Sequence, residues 1–172
     1  MQGMDMVARL MAISATTAPK SRGENFVETR ILEGKDIQDL AQAMLAYGQR
    51  TGKKDFDRDS RGIAQAGAVL LVGLAHARPL GLNCGACGFA TCKDLADAAG
   101  KVTEFVGPTC SFRLLDMGIA LGSAVKTAAM LNVDNRIMYR AGVTARSMGL
   151  IDWDFAMGIP LSATGKNIFF DR

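Results

Sequence analysis

The sequence predicts an α+β domain in which helices are layered against a small sheet. Three observations predict it: apolar residues recur at helical spacing in several segments, residues 25–32 and 68–74 have the length and composition of strands, and the two kinds of segment alternate along the chain. With 172 residues, 49% of them apolar and 22% charged, the chain is long enough to bury a real core and too apolar to be a disordered tail.

The first element is a helix over residues 4–16, where Met6, Val7, Leu10, Met11 and Ile13 form an apolar stripe. Ala18-Pro19 ends it, because the residue before a proline is pushed out of the helical region. Residues 25–32 alternate, with Phe26, Glu28, Arg30 and Leu32 on one side and Val27, Thr29 and Ile31 on the other, as in a strand with one strongly buried face. Glu33-Gly34 turns the chain. Asp36 is the expected N-cap of a helix to Gln49 that carries Ile37, Leu40, Ala41, Met44 and Leu45 inward.

Lys53 to Arg61 is dense in charge and reads as a solvated loop, followed by a short helix over 60–66. The unbroken apolar run Ala68 to Leu74 reads as a central strand buried on both faces. Residues 78–112 interrupt the pattern with all four cysteines and many glycines. A long helix over 111–131 follows, with Leu114, Met117, Leu121, Ala124, Val125 and Ala128 three and four residues apart. Gly118 and Gly122 on it would let a second helix approach closely. A helix over 136–148 and a strand over 155–159, ended by Pro160, complete the chain.

Composition excludes several function classes. Twenty Lys+Arg against seventeen Asp+Glu leave a net charge of +3, too small and too scattered for nucleic acid as the main partner. The longest apolar runs, 66–77 and 117–133 (the latter broken by Lys126), fall short of the roughly 20 residues that span a membrane. The N-terminal stretch carries Asp5 and Arg9 and lacks a basic leader, so it reads as an amphipathic helix and not a signal peptide. The expected compartment is the cytoplasm, where thiols stay reduced. His76, the only histidine, excludes His-rich metal sites and reads as structural. No serine or cysteine nucleophile pairs with a base, and no glycine-rich nucleotide loop is present, so no catalytic residue is assigned.

The cysteines carry the chemistry. Cys84, Cys87, Cys92 and Cys110 occur as C-x2-C-x4-C-x17-C, with Gly85, Ala86, Gly88 and Ala90 among the first three. Small residues allow the loop to wrap one centre, and a remote fourth thiol closes it. Three-plus-one spacing suits the corners of a [4Fe–4S] cubane, whereas structural zinc more often uses two similar pairs. Zinc, and buried or disulfide-bonded cysteines, remain the alternatives on spacing alone. Cys92 and Cys110 fall at predicted helix N-termini, whose partial positive charge favours thiolates and an anionic centre, and Lys93 and Arg113 are placed to add to it.

The stretch from Cys84 to Cys92, with Cys110 beyond it, resembles the [4Fe–4S] domain of Rnf-type electron-transport subunits and corrinoid iron–sulfur proteins. Over its whole length the chain resembles the ferredoxin-domain-containing proteins of anaerobic bacteria and archaea, through Thr17-Ala18-Pro19-Lys20, the cysteine loop and Gly107-Pro108-Thr109-Cys110. That resemblance implies four cluster ligands, Cys84, Cys87, Cys92 and Cys110; a complete ligand set with no acid–base residues beside it points to single-electron transfer with a redox partner protein. The resemblance implies no established reaction.

Outside the cysteine loop the order of elements is similar to a minimal nitroreductase, through Ala18-Pro19-Lys20-Ser21, the two strands, the long helix and Gly158-Ile159-Pro160. The expected organisation is then a nitroreductase-like domain in two halves, 1–77 and 113–172, around a cluster-binding insert, 78–112. This second resemblance implies a homodimer through the long helices, with FMN at the interface and oxidoreductase activity as an alternative function. Lys20, Ser21, Asn25 and Lys166 are the candidate flavin contacts. Two departures stand against FMN: the arginine-rich motif that grips its phosphate is missing, and Leu131-Asn132-Val133-Asp134 replaces a glycine-containing segment.

Overall fold

The unbroken apolar run becomes β2 (Ala68–Leu74), and every residue of it is buried. In the computed structural model, which describes residues 2–170, β2 lies between β1 (Val27–Leu32) and β6 (Phe155–Ser162), with the short β5 (Asp134–Asn135) beyond β6. All the pairings are antiparallel; Val27 faces Leu74 on one side of β2, and Ala68 faces Leu161 on the other.

Helices cover both faces of this sheet. On one lie α1 (Met4–Thr17) and α5 (Ser111–Met130), and on the other α2 (Lys35–Thr51), α3 (Phe56–Ala64) and α6 (Tyr139–Ser147). The two-residue period of a strand then divides β2 between two cores. Ala68, Leu70, Val72 and Leu74 pack among Met11, Ala15, Met117 and Ala124, while Val69 and Leu71 pack among Leu40, Met44, Ile63 and Ala141. A strand with no solvent face has no polar alternation, which is why its sequence is continuous. β1, at the edge, keeps the alternation: Val27 and Ile31 enter the first core, Glu28 and Arg30 stay exposed, and Leu32 reaches the second.

The segment between β2 and α5 contains α4 (Cys92–Ala98) and a hairpin of β3 (Lys101–Val102) and β4 (Val106–Gly107). It has a small core of its own, in which Leu80, Leu95 and Cys110 pack with Cys87, Phe89 and Phe112.

Several local expectations are corrected. Gly34, at φ 50°, and not Asp36, is the N-cap of α2, and Asp36 lies in its first turn. The charged stretch 53–61 is no solvated loop, because α3 starts at Phe56 and turns Phe56, Asp59, Ser60 and Ile63 inward. Asp59 is buried because arginines meet it: Arg58 at 2.9 Å, Arg140 at 2.8 Å and Arg136 at 3.9 Å. Leu114 turns outward from α5, and Arg113 and Asp116 take the inner positions.

The last strand does not stop at Pro160. Gly158 exchanges both backbone bonds with Met138, so by alternation Pro160 directs its nitrogen to the same edge, where the ladder is broken between Asn135 and Met138. A missing N–H is harmless there. The predicted helix over 136–148 begins only at Tyr139, because Met138 is held in that bridge.

Candidate metal centre

The cysteine loop is shaped by local hydrogen bonds. The amide of Cys92 donates to Asn83 Oδ1 at 2.8 Å, and the amide of Asn83 donates to Cys92 Sγ at 3.4 Å, so the ten-residue stretch 83–92 is closed at its base. Between those ends Gly88 N–H donates to the Gly85 carbonyl at 2.9 Å. Gly85 and Gly88 have φ of 72° and 87°, a conformation that side chains resist, so the tight path between Cys84 and Cys92 depends on these two glycines.

Two helices then present the remaining thiols. Thr91 caps α4 through a reciprocal box with Asp94, which fixes Cys92 as the first helical residue. Cys110 is the N-cap residue of α5 and makes no side-chain capping bond. The first N–H groups of that 20-residue helix therefore lack an intrahelical acceptor and favour negative charge at the Cys110 sulfur.

All four cysteines line one cavity, together with Leu80, Leu82, Phe89 and Phe112. Cys110 is buried at the base, Cys87 and Cys92 are half-buried, and Cys84 is exposed at the rim. Among the described residues no three Cys, His, Asp or Glu side chains gather tightly enough for a single ion. Four soft thiol donors lining one apolar cavity suit an iron–sulfur centre or a zinc ion by donor chemistry.

The two bases expected to make the centre more positive are compensated. Lys93 pairs with Asp97 at 2.5 Å on the exposed side of α4. Arg113 is fully buried one turn into α5 and faces both Glu24 and Asp116. Its role is a clasp. Nε donates to the Arg78 carbonyl at 3.0 Å and Nη1 to the Ser21 carbonyl at 3.1 Å, tying the start of the cysteine segment to the loop after α1. Arg22 repeats the tie by donating to the Leu80 carbonyl at 2.9 Å.

Most of the flavin candidates are already engaged by the protein. Lys20 Nζ donates to the Ala15 and Thr16 carbonyls and closes the end of α1. Burial lowers its pKa, with Asp116 opposing. Ser21 donates through both N–H and Oγ to Asp116, and Asn25 is bonded to the backbone of Val27. Lys166 lies beyond β6, apart from that group in sequence. His76 is exposed in a turn at φ 51°, 3.9 Å from Asp152, and packs no core.

One group escaped sequence reasoning. Glu104, at the tip of the β3–β4 hairpin, accepts from Tyr47 at 3.0 Å, Tyr139 at 3.3 Å and Lys53 at 2.6 Å. Burial pushes the Glu104 carboxyl up, but these donors outweigh it and hold the group below its ordinary range. Its partners are 35 or more residues away, so no local pattern could have found it, and the loop-closing role of Asn83 likewise came only from the structure.

Residues 81–101 match a family model described as "Putative Fe-S cluster", and residues 106–172 match "Uncharacterized protein containing a ferredoxin domain (DUF2148)". A protein of Archaeoglobus fulgidus, described as an uncharacterized protein, is 47% identical over 171 residues, covering 99% of this chain and 92% of the relative. Among solved structures, a nitroreductase with bound FMN from Desulfitobacterium hafniense superposes with a TM-score of 0.58 at 14% identity, over 94% of this chain and 79% of that one. A BluB-like flavoprotein from Clostridium difficile gives 0.55 at 15% identity, over 94% and 85%. An FMN-dependent nitroreductase from Mycobacterium smegmatis, in complex with NADPH, gives 0.58 at 13%, over 94% and 78%. The scaffold is thus the nitroreductase fold, and the chain belongs to the DUF2148 family of proteins containing a ferredoxin domain.

Proposed function

We propose that Cys84, Cys87, Cys92 and Cys110 hold a [4Fe–4S] cluster and that the protein passes single electrons between redox partner proteins. The carrying observation is that all four thiols line one cavity although Cys110 lies 18 positions beyond Cys92. Bound there, such a cluster supplies a one-electron couple. Cys110 provides a fixed ligand on α5, the Asn83-closed loop brings the other three to it, and Leu80, Phe89 and Phe112 keep water from the base. Cys84, exposed at the rim, gives the edge through which a partner exchanges electrons.

Protein purified without oxygen should be brown, with about four irons and four sulfides per chain. Cys110→Ser, at the buried base, should lose most of both. One zinc per chain and no sulfide would overturn the reading in favour of a zinc-stabilised interaction module.

The flavin-bound structures of the same fold support a second reading, an FMN-dependent oxidoreductase with an accessory cluster. Titrating the protein into FMN and following flavin fluorescence decides it, since unchanged fluorescence at saturating protein leaves the electron-carrier reading. In either case we place a homodimer contact on the outer face of α5. There Leu115 and Ile119 are exposed, and nothing lies within 4 Å of a Cβ added at Gly118 or Gly122. Among the described residues, no helix of the same chain occupies that face.

A further inference from the structure

The C-terminal ends of α2 and α6 and the β3–β4 hairpin enclose a cleft on the sheet face opposite α5. Arg50 and Arg146 line it, with Tyr47, Thr103, Glu104 and Ser147. The Arg50 guanidinium lies 5.0 Å over the Tyr47 ring, which orients it. Arg146 is half-buried and donates through Nη1 to the Glu104 carbonyl at 3.0 Å. Its Nε is shielded from solvent and has no hydrogen-bond partner among the described residues.

With Nε out of solvent's reach, a ligand in the cleft meets the Nη side of the Arg146 guanidinium, whose charge calls for an anionic partner. The acidic side chain at the cleft does not answer it, because the Glu104 carboxylate is taken by Lys53, Tyr47 and Tyr139. Two fork-shaped cations therefore face one cleft whose lining offers them no free carboxylate.

We propose that this cleft binds the oxyanion of a small phosphate- or carboxylate-bearing ligand between Arg50 and Arg146. Both ligand classes present paired oxygens at the spacing of a guanidinium fork, and the hydroxyls of Thr103 and Ser147 at the cleft wall add donors. The neutralised Glu104 leaves the cleft cationic, which selects against cationic and uncharged ligands. The site does not depend on the cluster. Its place beside the hairpin, between Cys92 and Cys110 in sequence, puts a ligand against the segment that carries the fourth thiol.

The test is calorimetric titration of the protein, as isolated without oxygen, in a phosphate-free zwitterionic buffer at low salt, with inorganic phosphate and separately with succinate. At least one anion should bind at a single saturable site, and the tighter of the two identifies the ligand class. Arg50→Gln and Arg146→Lys should each weaken it by about tenfold. Arg61→Gln, which removes a cation paired with Asp57 on the outside of α3, should leave affinity unchanged. Arg50 is a surface residue, so its variant keeps the fold, as an unchanged melting curve would verify. Absence of saturable binding by both anions, or equal weakening in Arg61→Gln, overturns the proposal.

Discussion

Replacing Arg113 by methionine isolates the clasp that ties the cysteine segment to the body. Methionine keeps much of the apolar stem and removes every donor. Lost with it are the bonds to the Arg78 and Ser21 carbonyls, the pairs with Glu24 and Asp116, and the contact 4.6 Å from the centre of the Phe26 ring. Unpairing a buried ion pair costs about 3–5 kcal/mol. Here the lower end applies. Asp116 keeps the N–H and Oγ of Ser21 at 2.8 and 2.7 Å, and Glu24, with a side chain 44% exposed, is solvated at once. The expected loss is therefore about 3 kcal/mol, which at a urea dependence of roughly 2 kcal/mol per molar lowers the unfolding midpoint by about 1.5 M. Glu24→Gln, by contrast, should cost less than about 1 kcal/mol. Urea unfolding followed by circular dichroism measures both. A midpoint shift in Arg113→Met of less than about 0.3 M would refute the argument, since the buried guanidinium would then be contributing almost nothing.

Three further outcomes are expected. Glu104 is held below its ordinary value of 4.5, so the stability it contributes is present above that value and lost as pH falls through the lower folded-state value. Near neutral pH, Glu104→Gln should therefore be less stable than wild type by about 1–2 kcal/mol, with the gap closing below about pH 4; urea midpoints across that range would contradict this if the gap stayed constant. Gly142→Ala should destabilise by about 1–3 kcal/mol or more in thermal unfolding, because the added Cβ would lie 1.9 Å from the Ala156 carbonyl oxygen, where α6 meets β6 at backbone distance. Gly122→Leu should leave the monomer's fold intact, since a Cβ there meets nothing within 4 Å, while shifting light-scattering mass from dimer to monomer; an unchanged mass would remove α5 from the interface.

That the four cysteines belong together was legible, because four thiols in one short segment are seldom unrelated, and the structure brings all four to one cavity. β2 was legible for a related reason: seven apolar residues in succession can only be buried on both sides, and two separate cores divide them. Apart from the N-cap of α2, which is Gly34 and not Asp36, the larger errors were in segments whose meaning depends on a distant partner. The charged stretch 53–61 has the composition of a solvated loop, but Arg136 and Arg140, from the other end of the chain, meet Asp59 and bury it. Pro160 has the local signature of a strand end, but the gap in the ladder beside it lets the strand continue. Glu104 and the bond from Arg146 to its carbonyl gave no sign at all.

The sequence by itself thus determined the clustering of the cysteines, the central strand and the long helix, because burial and spacing are properties of residue types and their order. Only the tertiary structure decided which charges are buried, which are compensated and which are left facing a cleft. A charge is governed by what lies within a few ångströms of it, and in a folded chain those neighbours come from elsewhere in the sequence.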